Sequence, residues 1–173
     1  MDWAVVLILW GVLAIGVITD LGWSRIPNWL TFPAMVAGIT ANTWSNGVEG
    51  AVFATVGLTV GLGVFLVLYL MGSVGAGDVK LLAAVGTLVG PYGALVSGIF
   101  AMVIGGAYAL GAMWYRWGSS EMITRLAVAG QGALLKGGTS WMQDLALPFR
   151  LRYGLAVAGG TLLFLLGVHP FGG

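Results

Sequence analysis

Trp3-Ala4-Val5-Val6-Leu7-Ile8-Leu9-Trp10-Gly11-Val12-Leu13-Ala14-Ile15-Gly16-Val17-Ile18-Thr19, closed by Asp20, is a run of seventeen residues without a charge that ends on a carboxylate. About 20 apolar residues cross a hydrocarbon core about 30 Å thick, so the stretch reads as a membrane-spanning helix. Composition extends that reading to the whole chain. Of 173 residues, 59% are hydrophobic and 8% charged, with mean hydropathy +0.99, against roughly a quarter charged in an ordinary soluble domain. An all-α, polytopic membrane protein is expected, organised as one domain over residues 1–173.

Working outward, six spans are predicted: 3–19, 29–44, 48–71, 78–90, 94–115 and 153–168. Between the first two lies Leu21-Gly22-Trp23-Ser24-Arg25-Ile26-Pro27-Asn28, whose Pro27 and Asn28 are turn and helix-start residues. Gly90-Pro91-Tyr92-Gly93 is the turn signal that stops the fourth span. Residues 116–152 are more polar and form a cytoplasmic connection. Within them Met122, Ile123, Leu126, Ala129, Ala133 and Leu134 recur at helical spacing, which predicts an amphipathic helix lying on the membrane surface over 121–136.

The fourth span is short, because 12 residues from Val79 to Gly90 rise only about 18 Å at about 1.5 Å per residue. Charge sidedness supports its crossing. With six crossings, Arg25, Lys80, Arg116, Arg125, Lys136, Arg150 and Arg152, which are all the basic residues, fall on one side. The positive-inside rule makes that side the cytoplasm and places both termini outside it. It also puts Asp20 and Asp78 at the same cytoplasmic boundary. Met1-Asp2 supply no basic n-region, so no cleaved signal peptide is expected.

Two carboxylates at one depth suit acid–base hydrolysis. One takes a proton from an attacking water while its protonated partner donates to the scissile carbonyl oxygen, and like charges a few ångströms apart cannot both ionise. Carboxylates beside hydrocarbon are costly and so are functional candidates. Gly75 and Gly77 leave the backbone before Asp78 without side chains, free to adopt φ > 0 and open to an extended substrate strand. No Ser/His, Cys/His or metal-ligand cluster competes, and His169 stands alone near the C-terminus. Zero cysteines exclude disulfides, thiolate catalysis and a cysteine metal site. A net charge of +1 by itself says nothing about nucleic acid, but no basic cluster exists to neutralise phosphates, so no nucleic-acid partner is expected.

Gly75-Ala76-Gly77-Asp78-Val79-Lys80 resembles the GxGD motif of the membrane aspartic peptidases that process type IV prepilins. Asp20 with Arg25-Ile26-Pro27-Asn28 is similar to the partner motif after their first helix, and 148–154 is similar to the segment leading into their last helix. The resemblance covers essentially the whole chain. It implies that Asp20 and Asp78 are the catalytic pair and that water is the co-substrate, with no metal or organic cofactor. It further implies a membrane-inserted prepilin substrate, cut on the cytoplasmic side of the inner membrane for a type IV pilus. Larger members insert a cysteine-bearing domain between their first two helices and methylate the new N-terminus. This chain has eight residues there and no cysteine, so it resembles the compact, single-function enzymes for Flp-type pilins, and N-methylation is not expected. Prepilins of this family generally carry a glutamate a few residues past the cut, which makes Lys80 a candidate substrate contact.

Arg25 and Lys80 also read simply as topology anchors, and the tryptophans at span ends as an interfacial belt. Gly57 and Gly61, and Gly86 and Gly90, have the spacing of close helix packing within the monomer. A proton-coupled transporter or a non-catalytic membrane scaffold is the alternative function, although no internal repeat supports a transporter. As the end of the first helix, Asp20 faces the dipole end that disfavours negative charge. Asp78 opens the fourth, where the dipole favours it, so the shared proton is expected on Asp20. Single-cysteine probes test the topology in this cysteine-free chain. Those at Ser24, Ser73 and Thr139 should react from the cytoplasmic side and those at Ser45 and Gly172 from outside, whereas labelling of Thr139 from outside overturns the fourth crossing.

Overall fold

The computed structural model describes residues 3–23, 26–70, 74–136 and 153–167. The described residues form four helical elements and no strand: α1 Trp3–Trp23, α2 Asn28–Leu70, α3 Ala76–Lys136 and α4 Tyr153–Leu165. Three stretches, Trp3–Trp23, Asn28–Leu70 and Ala76–Ala112, are long and apolar enough to cross a membrane, and α4 is a shorter apolar helix of 13 residues. The six expected spans thus appear as four elements rather than six separate helices. Residues 1–104 and 152–173 pack as one unit, and 105–151 as a second, in which 105–136 is helical.

The two long elements are interrupted where the sequence carries glycine. In α2, Gly47 takes φ 59° and ψ −136°, a non-helical conformation that separates 28–46 from 48–70. In α3, Gly90 has φ +77° immediately before Pro91. A methyl group on Gly98 would stand 3.2 Å from Leu82 Cδ2, yet sixteen residues of straight helix span about 24 Å. The chain therefore reverses at Gly90. Glycine suits both breaks because it adopts positive φ without a Cβ clash, and Pro91 supplies no amide to continue the ladder.

The arm 76–89 is the centre of the first unit. Leu81, Leu82, Ala83, Ala84 and Val85 are all 0% exposed, and a helix apolar on every side is a buried one. Its shortness follows, since a core helix need not match the hydrocarbon thickness by itself. Neighbouring backbones come within reach of it through glycines. Gly57 lies on the Gly86 and Gly90 backbone, and Gly61 on Leu82 and Ala83, so the glycine spacing does serve packing inside the monomer. Gly38 faces Thr87 in the same way.

One buried polar side chain completes this arm. Reversal at Gly90 leaves the carbonyls of the preceding turn short of helical donors. Asn42 Nδ2 donates to one of them, Thr87 O, at 2.9 Å, and to Gly38 O at 3.0 Å. Asn42 is 8% exposed. Other differences from expectation are at the ends. α1 runs one turn past Asp20, to Trp23, and α3 continues as helix through 116–136 instead of stopping at Tyr115. The rest of the polar connection, 137–152, lies outside the described residues, as does His169. Replacing Asn42 by leucine should lower the unfolding midpoint in detergent, because stranding a buried carbonyl costs about 1–3 kcal/mol; an unchanged midpoint would remove the bond's structural role.

Candidate active site

Asp20 and Asp78 are brought together by a small contact one turn away from each. Gly16 precedes Asp20 by four residues, and Leu81 follows Asp78 by three, spacings that share a helix face. A methyl group on Gly16 would lie 3.3 Å from Leu81 Cδ1. α1 runs toward the site and α3 away from it, so this contact sets the register that faces the two acids toward each other. The Asp20 charge acts directly on the Asp78 carboxyl, and both residues are buried, at 5% and 7% exposure.

Each carboxylate accepts a backbone amide. Gly75 N–H donates to Asp78 Oδ2 at 3.2 Å, while Gly75 O accepts from the amides of Asp78 at 3.1 Å and Val79 at 3.3 Å. This is the arrangement in which the third residue of a helix reaches back to its N-cap. Gly154 N–H donates to Asp20 Oδ2 at 3.0 Å. Gly154 is the second residue of α4, so its amide is one of those that a helix N-terminus leaves unpaired. The dipole contrast expected from α1 and α3 alone therefore disappears. Asp20 also faces a helix N-terminus, and the basis for placing the shared proton on it is lost.

The glycines before Asp78 work differently from expectation. Positive φ occurs at Gly47, Gly90 and Gly167, not at Gly75 or Gly77. Gly77 is helical, and a methyl group there would lie 3.1 Å from Ile26 Cβ and 3.3 Å from Ile26 N. Its bareness admits the connection between α1 and α2. Pro27 O then accepts the amides of Leu30 at 3.1 Å and Thr31 at 3.4 Å as α2 begins. Lys80 Nζ donates to Asn28 Oδ1 at 2.9 Å and lies 5.3 Å from the centroid of the Phe32 ring. The two motifs are thus tied together through Gly77–Ile26 and Lys80–Asn28. Arg25 lies outside the described residues.

Three residues at the site were given no individual role by the sequence. Phe32 carries the Lys80 cation on its ring. Gly154 supplies the Asp20 donor, and Tyr153 beside it feels the Asp78 charge. The signal for the last two was a tyrosine–glycine pair at the first turn of an apolar helix, visible but without a stated partner.

The model of the type IV leader peptidase family matches residues 7–110. That stretch, more than half of the chain, contains both aspartates and stops short of Tyr153 and Gly154. No curated protein and no solved structure matches the chain.

A methyl group on Gly154 would meet Asp20 Oδ2 at 2.8 Å and its Cβ at 3.0 Å, whereas one on Gly11 would meet nothing within 4 Å. Gly154→Ala should therefore lower the unfolding midpoint by displacing a buried carboxylate from its amide, a loss of about 1–3 kcal/mol. Gly11→Ala, a helix-interior change into open space, should stabilise by about 0.5–1 kcal/mol. Equal midpoints for the two variants would contradict the close Gly154–Asp20 contact.

Proposed function

The chain belongs to the type IV leader peptidase family, and from that premise we propose that it is a membrane aspartic endopeptidase that removes the leader of Flp-like type IV prepilins. The observation that carries the reading is the meeting of two buried carboxylates, Asp20 and Asp78, at the ends of α1 and α3.

In this reaction one carboxylate takes a proton from water as the water oxygen attacks the scissile carbonyl carbon. Its protonated partner gives a proton to the carbonyl oxygen. Collapse of the tetrahedral intermediate breaks the C–N bond, with a proton passing to the leaving nitrogen, and yields a leader carboxylate and a new amine on the mature pilin. The pair ends as it began, holding one proton between two acids. Because each acid accepts one amide from a helix N-terminus, either can serve as base while the other serves as acid. Water is the co-substrate, and the mechanism uses no metal or organic cofactor.

The whole chain acts as one peptidase domain in the inner membrane, crossing it six times, with both termini outside the cytoplasm and the site facing the cytoplasm. The breaks at Gly47 and Gly90 support this count, since Gly47 interrupts α2 and the chain reverses at Gly90 within α3. The compact link between α1 and α2 and the absence of cysteine support the Flp-type assignment and a peptidase without N-methylation. Gly75, Gly77, Pro27 and Asn28 shape the site. Lys80, held by Asn28 and Phe32, retains further N–H donors for a glutamate beyond the cut, and Arg25 is a second cation for the substrate.

Cleavage of a co-expressed prepilin, read by gel shift and N-terminal sequencing, tests the proposal. Asp20→Asn and Asp78→Asn should each reduce cleavage by about 10⁴-fold or more, because the members of such a unit fail together, while the protein stays in the membrane. Normal processing by either variant sinks the aspartic mechanism, and dependence on added zinc counts against it. Lys80→Gln should impair glutamate-bearing substrates selectively; equal loss for substrates with and without the glutamate would assign Lys80 a structural role.

A further inference from the structure

We propose that Tyr153 is a third group at the reaction centre, its phenol O–H donating a hydrogen bond to the oxygen that gains negative charge as water adds to the scissile carbonyl. The inference rests on the aspartic peptidase reading and adds to it a residue outside the matched stretch 7–110.

Tyr153 stands between influences of both acids, through its neighbour's amide and through its own phenol. It opens α4, and the amide of the next residue, Gly154, is bonded to Asp20. Its phenol feels the charge of Asp78. The ring is 8% exposed and stands edge-on to Phe65, with centroids 6.3 Å apart and planes at 81°. Phe65 is itself 0% exposed near the end of α2. The phenol is therefore held in place by a packed ring rather than left to swing, which is what a preorganised donor requires.

The chemistry leaves room for such a donor. The dyad holds one proton, and that proton goes to the carbonyl oxygen as the intermediate forms. The intermediate carries two oxygens, one from water and one from the carbonyl, so a second neutral donor lowers the charge that the dyad must absorb. A phenol suits the position because it donates while remaining protonated near neutral pH. A further carboxylic acid there would add to the like-charge repulsion between Asp20 and Asp78. Serine or threonine at the same backbone position would be too short to combine the Phe65 edge contact with reach toward Asp78.

Steady-state kinetics of the full chain in lipid vesicles, on a membrane-inserted prepilin substrate, provide the test. Tyr153→Phe keeps the ring against Phe65 and removes only the hydroxyl. It should lower kcat by about 10²-fold, the scale of losing one preorganised donor, and leave KM and the unfolding midpoint unchanged. Native kcat in Tyr153→Phe, or a loss confined to KM, overturns the inference. Difluorotyrosine at position 153, whose hydroxyl ionises at lower pH, separates donation from packing. Its kcat should fall at a lower pH than that of the native protein as the donor proton is lost, and an alkaline limb that does not move also overturns the inference. The two readings fail separately. Native cleavage with a fully active Tyr153→Phe removes Tyr153 alone, whereas a native protein that cleaves no prepilin brings down the peptidase reading together with it.

Discussion

Two carboxylates buried in a chain of mean hydropathy +0.99 are the constraint on which the rest of the structure depends. Taking an ionised carboxylate out of water costs several kcal/mol unless it is compensated. Among the described residues, backbone amides supply part of that compensation. The Gly154 amide serves Asp20 and the Gly75 amide serves Asp78. Both donors stand at helix N-termini, where amides are unpaired and the dipole favours negative charge. The site consequently requires α4 to begin against the side of α1 and α3 to begin with its own acid folded back. Moving either start would take an amide away from a buried carboxylate.

Glycine is what lets so many helix ends share that space. In lipid the hydrophobic effect does not drive helices together, so association relies on close van der Waals contact between backbones. The arm 76–89 carries Asp78 at its mouth and is approached by Gly38, Gly57 and Gly61 from α2 and by Gly16 from α1. On the far side of the first unit, Gly160 of α4 lies on the Ser97 carbonyl and the Ala101 amide. The arm is thereby a fixed axle for the unit. Asn42 closes the carbonyl left open where the arm ends, so the same arm is capped at one end by Gly75 and Asp78 and tied at the other by an asparagine from α2. That arrangement gives Asp78 a fixed place in the unit.

Much of this was legible in residue order because its causes are local. Charge-free runs mark helices, the interval between the spans 29–44 and 48–71 and the Gly90-Pro91 turn mark breaks, and two isolated acids at the edges of apolar runs mark a candidate site. What remained hidden depends on contacts distant in sequence. The donor to Asp20 lies 134 residues away, and no periodicity announces it. The same gap takes away the basis for assigning the shared proton, since the field of α1 was legible and that of α4 was not. Gly75 and Gly77 show a second limit. Glycine permits positive φ, but it equally permits close approach, and only the Ile26 backbone against Gly77 reveals which property is used. Asn42 reads as a polar intrusion in an apolar span until the Thr87 carbonyl is placed beside it.

In the proposed reaction Asp20 and Asp78 act together on a water molecule and form no bond to the substrate. Single-turnover cleavage in water enriched with heavy oxygen, followed by mass spectrometry of both the released leader and the protein, examines that claim at the level of the atom transferred. The label should appear in the new C-terminal carboxylate of the leader, and the Asp20 and Asp78 side chains should remain unlabelled. Label in either aspartate would mean that a carboxylate attacked the peptide and was later released by water, which would contradict the account.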